Sequence, residues 1–289
     1  MIIVKLDGGL GNQMFQYAFG KNFSILYKIP LKLDISSLFE YRKYEIDIFN
    51  LDDDIATKED MLLFDRRNLS LIEKVIFKIK HGFSKPLFLL EKEDDELFSL
   101  PAKAPKNILI WGHWQKEQYF KNIEKVIRRD FSFPEITGEA NQTFKRLIVR
   151  TNSVSVHIRR GDYLLEQNNK VHGIMPLKYY LEAIQYIRER TDNPVFYIFS
   201  DDTEWVKENL TIEGEVYFIT GNENNLSYVD MQLMSCCKHN IIANSSFSWW
   251  GAWLNNYSDK IVIAPSQWFS DPAKNSLHKN IVPKEWIKL

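Results

Sequence analysis

The sequence predicts an α/β protein that consists of two doubly wound, Rossmann-like domains. Short apolar strand patterns alternate with helical patterns along most of the 289 residues, which is typical of parallel sheets covered by helices. The length also exceeds that of one typical domain. We expect domains at residues 1–150 and 151–289, with ligand sites at the carboxyl ends of the strands and in a cleft between the domains.

In the first half, the pattern begins with a strand, a glycine-rich loop and a long helix. The predicted elements are a strand at 2–6, a loop at 8–12, a helix at 13–27, a strand at 31–33 ending at Asp34, a strand at 107–111 and a helix at 139–150. Residues 39–106 are charged and weakly patterned, as expected of loops and short helices.

The second half shows the more regular alternation of strands and helices. A strand from Ser153 runs into the sequence HIRRGDY, and further strands are predicted at 195–200, 215–219, 240–243 and 261–264. Helices are predicted at 177–190, 204–210, 228–238 and 246–255. This order favours a second parallel sheet with helices on its faces.

Composition excludes several functional classes. Hydrophobic residues make up 45% of the chain and aromatic residues 14%, which suffices for packed cores. The 37 basic and 38 acidic residues give a net charge of −1, so no basic excess supports general nucleic-acid binding. No segment resembles a signal-peptide core or the ~20 apolar residues of a spanning helix. Cys236 and Cys237 are interpreted as reduced thiols, and we expect a cytoplasmic protein.

Two adjacent arginines follow the apolar strand in SVSVHIRRGDY at 153–163. The planar guanidinium suits bidentate phosphate recognition, so the pair points to a phosphorylated ligand. Alternatively, both arginines pair with nearby acids such as Asp162 or Glu166. Because consecutive strand residues point to opposite faces, we do not expect Arg159 and Arg160 to grip one phosphate together, and one of them is interpreted as a structural ion-pair partner.

A second motif, HNIIANSSFSWWGAWLN at 239–255, predicts a buried strand, a turn at 244–246 and a helix. Asn and Ser are preferred helix caps, but the same turn would present N–H groups and the helix dipole to an anion. Trp249, Trp250 and Trp253 follow helical spacing and are predicted to pack in a core. Asp230, near the start of the preceding helix, either complements the helix dipole or accepts two N–H bonds from guanine.

The loop DGGLGNQ at 7–13 partly matches a dinucleotide-binding fingerprint. Gly9 and Gly11 fit its first two glycines and Asp34 fits the ribose contact, but Met14 stands where close helix packing requires Gly or Ala. The alternative is a backbone that must approach a ligand or the other domain closely. The six histidines are dispersed without metal-ligand spacing, so we expect no bound metal.

Together, GGLGNQMFQYAFG at 8–20, VHIRRGDY at 156–163 and DMQLMSCCKHNIIANSSFSWWGAWLN at 230–255 resemble the bacterial α-1,2-fucosyltransferases, glycosyltransferase family 11. The resemblance covers essentially the whole chain. It implies a GT-B architecture with an N-terminal acceptor-side domain and a C-terminal domain that binds GDP-fucose, without a metal or other cofactor. The last stretch of about 20 residues is a candidate to pack back on the N-terminal domain.

By motif position, the resemblance implies that Arg159 contacts the β-phosphate of the donor and supports the departure of GDP, with Asp162 as a second catalytic residue. The donor-binding residues that it implies are His157, Arg160, Asp230, Ser245, Ser246, Phe247, Gly9, Asn12 and Gln13. Of these, His157 and Asp230 match contacts to guanine, residues 245–247 match the turn near the phosphates, and the three N-terminal residues match a wall of the cleft.

The implied reaction is an inverting, metal-independent transfer of L-fucose from GDP-β-L-fucose to the 2-OH of a terminal galactose, on a glycan or a lipid-linked oligosaccharide. Arg159 and backbone donors would stabilise the charge that develops on the diphosphate. Asp162, Glu117 and His113 are candidates for the general base because they lie in polar turns at predicted strand ends. The segment 112–120, with His113, Gln115 and Glu117, is the expected acceptor surface.

Other functions are also compatible with parts of the sequence. They are a fucosyltransferase of another linkage or acceptor, an NAD-type oxidoreductase that uses Gly9, Gly11 and Asp34, and a sugar-binding module built on the eight tryptophans. Residues 74–85, KVIFKIKHGFSK, interleave basic and apolar side chains. This segment fits peripheral contact with an anionic membrane at its inner face, or an ordinary amphipathic surface helix.

Overall fold

The computed structural model describes residues 1–38, 43–52, 54–67, 69–81, 86–91, 106–223, 226–278 and 280–289. The chain divides into two compact units, Met1–Ser132 and Phe133–Leu289. Each unit is built on a parallel sheet of its own, so the α/β class predicted from the alternating pattern is confirmed.

The first unit contains a five-stranded parallel sheet in the order β3-β2-β1-β5-β4. Its strands are β1 (Ile2–Lys5), β2 (Leu31–Asp34), β3 (Asp54–Ile55), β4 (Leu87–Leu90) and β5 (Ile108–Trp111). The central strand β1 pairs with β2 on one side and β5 on the other. The loops that follow these strands therefore lie at the same edge of the sheet.

Among the helices of this unit, α1 packs most closely against the sheet. The helices are α1 (Leu10–Tyr27), α2 (Lys58–Met61), α3 (Leu71–His81) and α4 (Glu124–Asp130), with 3₁₀ turns at Ile46–Ile48, Glu117–Tyr119 and Lys121–Ile123. Gly20 permits the close approach of α1, because a Cβ there would lie 2.2 Å from Cγ2 of Val4. Phe19 of the same helix stacks on Trp114 with ring centroids 4.0 Å apart.

The second unit contains a six-stranded parallel sheet in the order β11-β10-β9-β6-β7-β8. Its strands are β6 (Asn152–Ile158), β7 (Pro194–Ser200), β8 (Val216–Ile219), β9 (His239–Ile241), β10 (Val262–Ala264) and β11 (Ile287–Lys288). The long pair β6–β7 ends with Ile158 opposite Ser200, and β6 also pairs with β9 on its other side.

The second sheet has an apolar core on each face. Its helices are α5 (Glu139–Arg150), α6 (Glu166–Asn169), α7 (Leu177–Arg188), α8 (Thr203–Asn209), α9 (Ser227–Cys236), α10 (Ser246–Leu254) and α11 (Pro272–Leu277). In β7, Phe196 and Ile198 belong to the core that includes α7 residues, whereas Tyr197 and Phe199 belong to the core that includes α5 and α9 residues. This alternation is that of a strand buried on both faces.

The division between the two units falls at a different position from the expected domain boundary. The division after Ser132 places α5 in the second unit, although the sequence suggested a first domain up to residue 150. The reason is that Ile148 of α5 is fully buried in the core of the second sheet. The C-terminal residues complete that same sheet, since Ile287 of β11 pairs with Ile263 of β10.

The predicted role of the tryptophans in α10 is also borne out. Trp249, Trp250 and Trp253 are buried, and the indole N–H of Trp249 donates to the carbonyl of Ile281 at 2.9 Å. Across the part of the chain that the structure describes, no helix is long and apolar enough to cross a membrane.

Candidate active site

The paired arginines lie at the carboxyl end of β6, and their partners come from the end of β7. Because Ile158 is opposite Ser200, the next residues of both strands face each other. Nη1 of Arg159 lies 2.6 Å from Oδ2 of Asp201, and Nε of Arg160 lies 3.0 Å from Oδ2 of Asp202. The other carboxylate oxygen of Asp201 accepts the backbone N–H of Arg160 at 2.8 Å.

Glu166, one of the two acids that the sequence suggested, has a different partner. It pairs with Lys170 at 2.7 Å, one helical turn away. Asp162 lies in the 3₁₀ turn Gly161–Leu164, but its side chain is outside the described part of the structure. The register between β6 and β7 therefore brings Asp201 and Asp202 to the arginines.

The two guanidinium groups occupy different environments. The guanidinium of Arg160 lies 3.4 Å from the ring centroid of Trp205, and only 13% of its side chain is exposed. The side chain of Arg159 is 28% exposed and lies 5.6 Å from the ring of Tyr163. Both guanidinium groups are ion-paired and lie over an aromatic ring, and Arg159 is the more exposed of the two. The implied donor contacts of both arginines stay predictions.

Gly161 is required by the contact between Arg159 and Asp201. A Cβ at this position would lie 2.5 Å from Oδ2 of Asp201, the same oxygen that binds Arg159. Real Cβ atoms do not approach an oxygen so closely, so any larger residue would displace the carboxylate. The glycine of HIRRGDY therefore keeps the end of β6 against the end of β7.

His157 is a buried neutral imidazole beside this ion pair. Burial lowers the pKa of His157 to about 4, an effect that Asp201 opposes and Arg159 reinforces. Within the described residues, Nδ1 of His157 is buried and has no hydrogen-bond partner. Its ring centroid lies 5.9 Å from that of Phe247. A buried nitrogen of this kind can donate to or accept from a ligand at the same edge of the sheet.

The turn between β9 and α10 combines a helix cap with a set of loop contacts. Ser245 is the N-cap, and its hydroxyl accepts the backbone N–H of Phe247 at 3.3 Å. The preceding Asn244 is buried, and its amide donates to the carbonyls of His172 at 2.8 Å and Trp268 at 3.1 Å. The capping interpretation is therefore correct for Ser245. The N-terminus of α10, with the positive end of its helix dipole, lies at this edge of the sheet.

Asp230 has an environment that does not fit a simple dipole role. It lies in the first turn of α9, half-buried, and accepts a hydrogen bond from Nδ2 of Asn222 at 2.7 Å. Asn222 in turn exchanges amide hydrogen bonds of 2.7 and 3.1 Å with Asn141. Burial raises the pKa of Asp230 to about 7, with a further contribution from Glu223 and an opposing one from Asn222. A helix dipole would lower the pKa, whereas the pKa of Asp230 is raised, so burial disfavours its ionised form.

In the first unit, the glycine-rich loop is organised by protein groups. The α1 N-terminus is capped by Glu45, whose Oε2 accepts the N–H of Leu10 at 2.9 Å. Gln13 is fully buried; its amide donates to the carbonyls of Gly8 and Lys43 and accepts the N–H groups of Glu45 and Ile46. These four bonds hold Gln13 within the loop, and its implied contact with the donor stays a prediction.

This arrangement argues against a dinucleotide site. In such a site the helix N-terminus receives a pyrophosphate, but here a carboxylate of the protein occupies it. Asp34, the candidate ribose contact, is only 4% exposed, and it accepts the N–H of Ser36 at 3.0 Å. Gly8, with φ of 76°, is the glycine that the loop conformation requires.

The structure brings one implied cleft residue together with one acceptor candidate. Nε2 of Gln115 donates to Oδ1 of Asn12 at 2.8 Å, because the loops after β1 and β5 lie at the same edge of the sheet. Gly9 is half-buried and His113 is exposed in these loops. The carboxylate of Glu117 lies 3.2 Å from Nζ of Lys121. At this edge of the sheet, His113 is therefore exposed and Glu117 is ion-paired.

Several contributing residues were not identified from the sequence. They are Asp201, Asp202, Trp205, Asn141, Asn222 and Glu45. Asp201 and Asp202 could have been found by noting that both strand patterns end in charged pairs at neighbouring sheet positions. The two asparagines and Glu45 lack such a signal. Among the described residues, no group of three or more His, Cys, Asp or Glu side chains is arranged to hold a metal ion.

Comparison with known proteins places the whole chain in one family. The family model described as glycosyl transferase family 11 matches residues 1–289. An alpha-1,2-colitosyltransferase of Escherichia coli is 38% identical, over 100% of this chain and 99% of that protein. The O-antigen biosynthesis glycosyltransferase WbnK of Escherichia coli is 32% identical, over 98% of this chain and 99% of that protein.

A more distant relative and a solved structure extend this similarity. Human galactoside alpha-(1,2)-fucosyltransferase 1 is 32% identical over 47% of this chain and 40% of its own length. The crystal structure of the fucosyltransferase NodZ from Bradyrhizobium matches with a TM-score of 0.55 at 12% identity, covering 86% of this chain and 91% of that chain. At such low identity the structural likeness establishes the fold alone, and that fold is GT-B.

Proposed function

The chain belongs to glycosyltransferase family 11, and we propose that it is a fucosyltransferase that uses GDP-β-L-fucose. The acceptor that we propose is the 2-OH of a terminal galactose, on a glycan or a lipid-linked oligosaccharide. The linkage is supported by relatives named as α-1,2-transferases, and the galactoside by the human relative. The name of the colitosyltransferase makes colitose a second candidate for the transferred sugar.

The observation that carries the proposal is the position of Arg159. Its guanidinium lies where β6 ends, and β6 is hydrogen-bonded to β9, which leads into the turn at 244–247. A diphosphate at this edge would meet a guanidinium from one strand end and backbone N–H groups from a helix N-terminus. Ligands of doubly wound sheets bind at this edge of the strands.

The proposed chemistry is a single displacement at the anomeric carbon. The acceptor hydroxyl attacks from the face opposite the diphosphate, its proton passes to a base, and the bond between the anomeric carbon and the phosphate oxygen breaks. The configuration at that carbon is thereby inverted. Arg159 stabilises the negative charge that grows on the departing diphosphate, and this interaction accelerates the step because it strengthens as the bond breaks.

Asp201 also contacts the guanidinium that is proposed to bind the diphosphate. Its carboxylate already neutralises Arg159 at 2.6 Å, so an incoming diphosphate shares the guanidinium with it. The planar fork of the guanidinium has several N–H donors, so it can bind a carboxylate and a phosphate together. His157, with its buried Nδ1, and the turn at Ser245, Ser246 and Phe247 complete the proposed donor contacts.

Asp230 is proposed to read the guanine base. An ionised carboxylate can accept two parallel N–H bonds, which guanine offers through its N1–H and its exocyclic amine. The raised pKa supports this role. A carboxylate whose pKa is about 7 is disfavoured in its charged form, and a ligand that donates hydrogen bonds to that form stabilises it.

The base that activates the acceptor is proposed from three residues. Asp162, Glu117 and His113 remain the candidates, and Glu117 would have to exchange its contact with Lys121 for the acceptor hydroxyl. We also propose that the reaction needs no metal, since the guanidinium and the helix N-terminus can supply the positive charge. The thiols of Cys236 and Cys237 are free, which is compatible with the proposed cytoplasmic location.

The proposal is tested by Arg159→Lys, with Arg188→Lys as the matched control. The side chain of Arg188 is 27% exposed and lies near a carboxylate, like that of Arg159. However, Arg188 ends α7 shortly before β7 begins, so it lies near the amino ends of the strands and Arg159 at their carboxyl ends. Lysine keeps the charge and loses the planar fork. We expect the rate of GDP release with a β-galactoside acceptor to fall about 100-fold in Arg159→Lys only.

Product analysis and chelation complete this experiment. Mass spectrometry and linkage analysis of the product identify the transferred sugar and the hydroxyl that receives it. EDTA is expected to leave turnover unchanged, and recovery of lost turnover by Mg²⁺ would refute the metal-independent mechanism. Full activity of Arg159→Lys would show that the diphosphate binds elsewhere, and binding of NAD in place of GDP would restore the oxidoreductase hypothesis.

A further inference from the structure

The helix α3 is oriented with its apolar side chains toward solvent. The exposed fractions of its large apolar side chains are 81% for Leu71, 74% for Ile72, 57% for Val75, 58% for Ile76 and 81% for Ile79. An ordinary amphipathic surface helix buries this face and exposes its polar one. Here the apolar face is exposed, so an ordinary amphipathic surface helix does not explain the described part of the segment 74–85. Residues 82–85 of that segment lie outside the described residues.

The contact of α3 with the rest of its unit runs through a different face. Among the described side chains of the helix, Phe77 alone is buried, and the guanidinium of Arg66 lies 4.6 Å from its ring centroid. At about 100° per residue, Phe77 lies opposite the middle of the exposed apolar face. Among the side chains that the structure describes in this helix, Phe77 therefore supplies the buried contact, and five apolar side chains face outward.

The lysine positions at 78 and 80 of α3 lie beside its apolar face, as in helices that bind anionic surfaces. The apolar face covers an arc of roughly 140°, and positions 78 and 80 fall near its two borders on a helix of 3.6 residues per turn. The sequence places lysines at 74, 78 and 80 and one acid, Glu73, in this helix. The carboxylate of Glu73 accepts the backbone N–H of Ser70 at 2.8 Å, where it caps the start of the helix.

We propose that α3 docks this enzyme on an anionic lipid surface. Five apolar side chains enter the boundary between headgroups and acyl chains. The excess of lysines over acids in the sequence of this helix favours an anionic surface over a zwitterionic one. The helix lies in the plane of the membrane and does not cross it. This inference depends only on the exposed face of α3, so it is independent of the sugar and linkage proposed above.

The experiment is co-sedimentation of the full chain with vesicles of phosphatidylglycerol and phosphatidylethanolamine, compared with phosphatidylcholine vesicles. The wild-type protein is expected to bind the anionic vesicles and to dissociate as salt is added. The variant Ile72→Ser/Ile76→Ser/Ile79→Ser is expected to bind at least about tenfold more weakly. Leu181→Ser is the control, because Leu181 is a single exposed apolar residue, 50% exposed, on a helix of the second unit.

Charge reversal tests the second half of the proposal. Lys74→Glu/Lys78→Glu/Lys80→Glu is expected to weaken binding to anionic vesicles roughly 10–100-fold. The matched control is Lys170→Glu/Lys178→Glu/Lys207→Glu, which changes the net charge equally at exposed positions of the second unit. Equal losses in both variants would show that net charge, and not α3, governs binding.

Two further outcomes would overturn the proposal. One is the absence of wild-type binding to anionic vesicles at low salt. The other is a dimer in sedimentation velocity that the triple serine variant converts to monomers, because α3 would then be an interface between copies of this chain. Turnover of a water-soluble acceptor is measured for every variant, and retained turnover shows that each remains folded.

Discussion

Replacing Asp230 by asparagine should stabilise the protein and weaken its binding of GDP at the same time. The pKa of Asp230 is raised to about 7 by burial, from an ordinary value near 4. The ionised form is therefore disfavoured in the folded protein by about 3 pH units, or at most about 4 kcal/mol. Solvent access to the half-buried group reduces this to roughly 2–4 kcal/mol.

The sign of the effect follows from the direction of the shift. Below pH 4 the carboxyl group is protonated in both folded and unfolded chains, so ionisation has no influence on stability. As the pH rises from about 4 to about 7, the unfolded chain ionises first and the native protein loses stability. Above pH 7 the penalty is complete. The Asn variant lacks this penalty, so its gain in stability over the wild type grows across this window and is constant above it.

The assay is a thermal melt at several pH values combined with calorimetric binding of GDP. At pH 8 we expect the melting temperature of Asp230→Asn to exceed that of the wild type by roughly 5–10 °C. We expect GDP to bind about 10–150-fold more weakly, the equivalent of one or two hydrogen bonds to a charged group. Wild-type affinity for GDP should rise with pH through about 7, and the preference for GDP over inosine diphosphate should disappear in the variant.

Asp259→Asn is the control, because Asp259 is an exposed acid of the same unit. It should change neither the melting temperature nor the affinity. If Asp230→Asn is less stable than the wild type at pH 8, contacts within the protein offset the penalty of ionising the carboxylate. Unchanged GDP affinity would remove Asp230 from the donor site.

Three other substitutions test separate parts of the molecule. Gln13→Ala should lower the free energy of unfolding by about 2–4 kcal/mol, since four backbone groups lose a buried partner; an unchanged denaturation midpoint would contradict this. His157→Gln should flatten the loss of stability as the pH falls from about 6.5 to about 4, because only the unfolded wild type gains a proton there; an equally acid-sensitive variant would refute the buried neutral imidazole. Gly161→Ala should reduce transfer roughly 10–100-fold by displacing Asp201, measured as initial rate, and a wild-type rate would show that the pair with Arg159 is dispensable.

Much of the fold could be predicted because local patterns are strong in the longer elements. The helix predicted at 139–150 has these bounds in the structure, and the strand predicted at 195–200 extends by one residue to Pro194. The short strands β3 and β11 were not predicted. Each has two residues, which is too few for a period to be visible, and each exists because a neighbouring strand pairs with it.

The candidate site could be predicted only as a set of motifs. Arg159, Asp230 and the turn at 245–247 stand out because arginines, acids and caps at strand ends suit phosphates and bases. The sequence did not indicate which residues form the ion pair with Arg159 or the hydrogen bonds around Asp230. The partner of Arg159 lies 42 positions away at Asp201, and the amides that support Asp230 come from a helix and a loop that sequence spacing does not connect.

The amino-acid sequence by itself determined the alternation of strands and helices and the residue types available at the strand ends, because both depend on neighbours within a few positions. Only the tertiary structure decided that Arg160 stacks on Trp205 while Arg159 faces a carboxylate, that Gln13 is buried, and that α3 turns its apolar face outward. Strand register and helix orientation set these environments, and both result from packing between segments that are far apart in the chain.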